Sequence, residues 1–154
     1  MRLRKKTTGT AAAMVMAVGA VAFASGPASA GGCGPVGPCG RVDNNTASDT
    51  MSYTLKLDTG GDHRCNVWNF PGGQRTVSCQ QQGLNPGKGV GGRLHDGKDV
   101  DAFTFPNTGY HVTFNGGITQ SYHERGMWTK ISNTATAVCK DVSSFQTPYC
   151  EVMG

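Results

Sequence analysis

Residues 51–58 read MSYTLKLD, and the alternation of this stretch decides the fold class. Met51, Tyr53, Leu55 and Leu57 fall on one side; Ser52, Thr54, Lys56 and Asp58 fall on the other. Period two over such a length marks a strand with one buried face. Downstream, the runs 64–70 and 74–80 flank Pro71-Gly72-Gly73, a turn-forming tripeptide that predicts a hairpin. Shorter runs at 100–105, 110–114, 118–122, 127–131 and 134–139 read as further strands, separated by turn formers such as Asn115-Gly116-Gly117. Helical periodicity is not sustained anywhere after residue 31. The expectation is an all-β fold, a small antiparallel sandwich or barrel of about seven or eight short strands.

Two stretches fall outside that pattern. Residues 80–99 have no periodicity and six glycines, which reads as a long loop, functional or disordered. Residues 31–50 hold little apolar bulk and many turn formers, and read as an N-terminal arm ahead of a β domain over 51–154. The tail after Lys140 contains Pro148 and ends close to Cys150.

The first thirty residues form a targeting segment. Arg2, Arg4, Lys5 and Lys6 precede an apolar run from Ala11 to Phe23, and Ala28-Ser29-Ala30 supplies the small residues of a cleavage site. That order is a secretory signal peptide over 1–30, so the working protein is expected outside the cell, beginning at Gly31. No second apolar stretch reaches the ~20 residues a membrane-spanning helix needs, so no membrane partner is expected after cleavage. The whole chain carries 14 Lys and Arg against 10 Asp and Glu, but after residue 30 the balance is 10 against 10. A nucleic-acid binder neutralises phosphates with a clustered positive surplus, and none is present here, so nucleic acid is not an expected partner.

All six cysteines follow the cleavage site, which reads as a disulfide framework. Centring the hairpin turn on Gly72 places Cys65 opposite Cys79, within bonding range. Locality pairs the others as Cys33–Cys39 and Cys139–Cys150. The ring Cys33-Gly34-Pro35-Val36-Gly37-Pro38-Cys39 is then a rigid presented loop. Two prolines fix backbone angles, which lowers the entropy lost on docking. Pro35, Val36, Gly37 and Pro38 are the expected partner-binding residues.

Catalytic signals are sparse. His123-Glu124-Arg125 joins a base, a carboxylate and a guanidinium at a turn, and Tyr122-His123-Glu124 distantly resembles a short stretch of microbial guanyl ribonucleases. Such an enzyme also needs a second acid–base group on the far side of the phosphate, and sequence does not give which group would lie near enough. His111 sits opposite an apolar face and reads as a solvated strand histidine. No nucleophile elbow surrounds any serine. Gly83-Leu84-Asn85-Pro86-Gly87-Lys88-Gly89 fails as a phosphate loop in both spacing and its terminal residue. Asp96, Asp99 and Asp101 do not match a calcium loop, and if the last two start a strand they share its solvent face. The cysteine spacing lacks a zinc knuckle. No catalytic residue, metal ligand or cofactor is assigned.

The Ala/Gly-rich signal, the Ala28-Ser29-Ala30 site and the Cys33-GPVGP-Cys39 arm on a small β domain are similar in general plan to the adaptor subunit of umbrella-type toxin particles of filamentous actinobacteria. The resemblance implies a secreted protein that joins a lectin subunit to a toxin chain. The lack of a coherent catalytic set, the zero net charge after residue 30 and the presented arm make a secreted, non-enzymatic subunit docking another exported protein the leading expectation. A protease inhibitor using the Cys33–Cys39 loop, and a small secreted ribonuclease or hydrolase, are the alternatives.

Overall fold

A computed structural model describes Cys33 and residues 37–154; the signal segment lies outside the described residues. Twelve strands and no helix are present among them. In chain order they are β1 (Arg41–Asn45), β2 (Met51–Thr54), β3 (His63–Val67), β4 (Arg75–Cys79), β5 (Gln82–Leu84), β6 (Lys88–Gly91), β7 (Ala102–Thr104), β8 (Tyr110–Phe114), β9 (Ser121–His123), β10 (Met127–Lys130), β11 (Thr136–Lys140) and β12 (Tyr149–Met153). The expected all-β class is therefore right, with more and shorter strands than the sequence pattern predicts.

The strands form two six-stranded sheets. The first runs β6-β1-β11-β12-β8-β9, the second β4-β3-β10-β7-β2-β5. The pairing is mixed instead of purely antiparallel, because β1 runs parallel to β11, β12 to β8 and β3 to β10. Parallel neighbours need a long crossover, and the chain supplies it by switching sheets between them. Val42, Val112 and Val152 from the first sheet meet Met51, Tyr53 and Phe103 from the second in one buried core. A smaller cluster of Leu57, Val67, Val77, Ala102 and Trp128 surrounds the Cys65–Cys79 bond.

The stretch 51–58 keeps its alternation only as far as Tyr53. Thr54 is fully buried, and its hydroxyl oxygen accepts the Lys56 N–H at 3.1 Å, which ends β2. Leu57 then joins the second cluster. The β3–β4 hairpin also differs from expectation. Cys65 faces Val77 and Cys79 faces His63, so the pairing axis passes through Pro71. Tertiary bonds cause the shift: Trp68 Nε1 donates to Thr129 Oγ1 at 3.0 Å, and Asn69 bonds the Lys130 backbone in both directions at 2.8 Å. Pulling these two residues out of the ladder lengthens the turn. A slip of two preserves side-chain parity, so both cysteines still face inward and bond diagonally at a Cα separation of 5.9 Å.

Four elements occupy stretches in which the sequence pattern predicts no strand. β1 lies within the expected arm, yet it is an interior strand with Val42 and Asn44 fully buried. β5 and β6 lie within the expected 80–99 loop and pair with β2 and β1. Gly91 has a φ of 88°, and a Cβ there would run into the backbone carbonyl oxygen of Gly40, so the close approach of the end of β6 to the start of β1 requires glycine. β12 lies in the tail, where Cys150 directly opposes Cys139 at a Cα separation of 4.0 Å.

Candidate functional site

Register in the first sheet aligns one end of five strands. Gly91, Arg41, Thr136 and Met153 stand opposite one another across β6, β1, β11 and β12, and the Asn115 N–H donates to Val152 O at 2.7 Å just past β8. With adjacent strands about 4.8 Å apart, this end spans about 19 Å from β6 to β8. The Cys33–Cys39 bond, the turn 92–98, the turn 132–135 and the hairpin tip 115–120 all lie at this end.

The ring is anchored there through backbone contacts. Cys33 N–H donates to Gly97 O at 2.9 Å. Just beyond Cys39, the Gly40 N–H donates to a carboxylate oxygen of Asp99 at 2.7 Å, while Gly40 O accepts from Gly92 and Val100. Burial raises the Asp99 carboxyl above its ordinary range, although the Gly40 hydrogen bond and the Lys130 charge pull the other way. Arg41 holds Asp43 through Nε and Nη2 at 2.9 and 2.6 Å, and its Nη1 donates to Gly91 O. In the 92–98 turn, Asp96 Oδ1 accepts the N–H groups of Gly91 and Lys98.

This bracing leaves Leu94 fully exposed at the tip of a tied turn. Cys39, Arg41, Gly92, Arg93, Leu94 and His95 line an open concavity of about 440 Å³. Along the same end Ile118 is also fully exposed and Met153 is 44% exposed, so three of the four exposed large apolar side chains among the described residues share this edge. Of the expected contact residues, Pro38 is exposed and Gly37 half-buried, while Pro35 and Val36 lie outside the described residues. Leu94 and Ile118 were not legible as contact residues, because only strand direction places their two turns at the same end of the sheet.

The other chemical candidates do not assemble into a reacting centre. His123 is half-buried with its ring stacked on Trp68 at 4.4 Å, whereas Glu124 and Arg125 are exposed on the turn, and no ion pair joins the triplet among the described residues. His111 is half-buried and stacks on Phe145 at 4.4 Å, a more enclosed setting than a solvated strand position. Asp99 and Asp101 do not share a solvent face. Each turns to a backbone donor, Asp99 to Gly40 and Asp101 to the Leu57 N–H at 2.9 Å. Ordering two chain segments through carboxylates explains their position without a cation. Among the described residues no grouping of His, Cys, Asp and Glu has the form of a metal site. No protein-family model, curated protein or solved structure matches the chain.

Proposed function

We propose that this chain is an exported, non-enzymatic subunit that docks another exported protein through the ring end of its first sheet. One observation carries the reading: Leu94 is fully exposed on a turn held rigid against the Cys33–Cys39 ring, with Met153 and Ile118 continuing the apolar edge. Large apolar side chains exposed along one end of a sheet favour association, and a pre-tied turn loses little entropy on binding. Three disulfides and the absence of a membrane-length apolar helix among the described residues are compatible with export. An adaptor within a secreted toxin particle is the specific form that the sequence resemblance implies.

The test is native purification of the secreted protein and identification of its co-eluting partner, followed by affinity measurement with two variants. Removing residues 31–39 leaves Gly40 to bond Asp99, and Leu94→Ser removes the apolar tip. Each should weaken binding at least tenfold, about 1.4 kcal/mol. Unchanged affinity in both would refute the assignment. A co-eluting protease would redirect it to inhibition, and a hydrolytic activity abolished by His123→Ala would favour an enzyme.

A further inference from the structure

The inner side of β9 carries an arrangement that the binding surface does not use. His123 lies against Trp68, with centroids 4.4 Å apart and ring planes within 21°, and against Tyr110 at 5.6 Å. Both walls are locked by a relay of hydrogen bonds. Trp68 Nε1 donates to Thr129 Oγ1 at 3.0 Å, the Thr129 hydroxyl meets Tyr110 Oη at 2.6 Å, and the Tyr110 hydroxyl donates to Met127 O at 2.8 Å. Every polar atom of that relay is satisfied. By contrast, Nε2 of His123 is buried with no hydrogen-bond partner.

An unpartnered lone pair in such a place costs less than an unpartnered N–H, so the favoured neutral tautomer carries its proton on Nδ1. Protonation must then occur at Nε2, where the new cationic donor finds no acceptor. Stacking on the indole favours a positive ring, but the cost of burying an unsatisfied charged donor is larger. The surrounding charges do not supply an acceptor. Tyr110 is a buried phenol held neutral well above its ordinary range, His111 of β8 adds positive charge when protonated, Glu124 and Arg125 are exposed on the turn, and Lys130 of β10 is directed at Ile131 O. Burial first, and His111 second, accordingly push the His123 imidazole below its ordinary range.

β9 is the weakest attachment in its sheet, three residues long and paired on one side only, with β8. Its walls are held by the hydrogen-bonded relay, whereas β9 is held by one ladder and the contact of Tyr122 with His111. We infer that His123 is a pH-operated latch: protonation at Nε2 drives the ring out of the Trp68–Tyr110 slot and lifts β9, freeing the hairpin that carries Ile118 and Tyr122. The freed hairpin carries Ile118 of the proposed docking edge, but the latch itself is tested without a partner.

The experiment follows the His123 imidazole by NMR while the intact protein is acidified from about pH 8 through the histidine range. Amide exchange at Ser121 and His123, the β9 residues whose N–H groups face β8, is recorded alongside, corrected for the intrinsic pH dependence. Protection at these amides should fall at least tenfold in step with His123 protonation, while the amides of β11 and β12 stay protected. His123→Phe keeps a stacking ring without a titrating nitrogen and should hold β9 protected across the same range. His111→Phe removes the neighbouring charge and should move the His123 midpoint upward, shifting the opening with it. Retained β9 protection after His123 is protonated would overturn the latch, as would equal loss of protection in His123→Phe.

Discussion

Asp99 and His123 show how single buried groups set the pH response of this fold. Asp99 has a folded-state affinity for protons above that of the unfolded chain, because burial disfavours its charge. Its linked contribution to stability is therefore lost as pH rises through the raised folded value, and regained on acidification toward the ordinary 3.8. His123 acts oppositely. Its folded value lies below the ordinary 6.5, so its contribution is complete above 6.5 and is lost as pH falls toward the folded value. Stability profiles from denaturant unfolding should show both trends. Asp99→Asn retains an acceptor for Gly40 and should reduce the acidic gain without abolishing it, because burial raises Asp101 in the same direction. Asp99→Ala, by contrast, leaves the Gly40 N–H unpaired and should cost about 1–3 kcal/mol. His123→Phe should remove the loss below 6.5. An Asp99→Ala protein as stable as the parent would show that Gly40 finds another acceptor.

The strands differ in how openly the sequence declares them, and burial of polar residues explains the difference. β8 is legible to the residue, since Tyr110 and Val112 alternate with polar neighbours between clear turn signals. β1 is not, because RVDNN carries one apolar side chain and reads as turn. Its place in the sheet is fixed by tertiary bonds instead: Asn44 is fully buried, and its Nδ2 donates to Asp49 O at 2.8 Å and Leu84 O at 3.0 Å. β5 and β6 hide for a related reason, because glycines that admit a close neighbour look like loop glycines when the neighbour is unknown. A truncation series separates the arm from the strand within it. Removal of residues 31–39 should leave the far-ultraviolet circular dichroism and cooperative melting intact, while removal through Asn45 takes out an interior strand and should abolish the folded baseline. A folded protein lacking β1 would mean that β6 and β11 can close on each other directly.

At the scale of the molecule, the disulfide pairing was readable from locality and parity, whereas the docking end was not. Cys65–Cys79 survives a register slip of two because parity, not exact opposition, keeps both side chains on one face. The outer bond between Cys139 and Cys150 pins a strand that the tail sequence conceals, and replacing both cysteines with Ala should lower stability by about 2–4 kcal/mol. Leu94, Met153 and Ile118 are far apart in sequence, and their common edge emerges only from which strands run up and which run down. That edge is the centre of the functional account, and an exchange footprint tests it most directly. Amide hydrogen exchange of the protein with and without its natively co-purified partner should show added protection in residues 92–98, 115–118 and 132–136. Added protection confined to the opposite end of the same sheet, at 85–88 and 141–148, would contradict it.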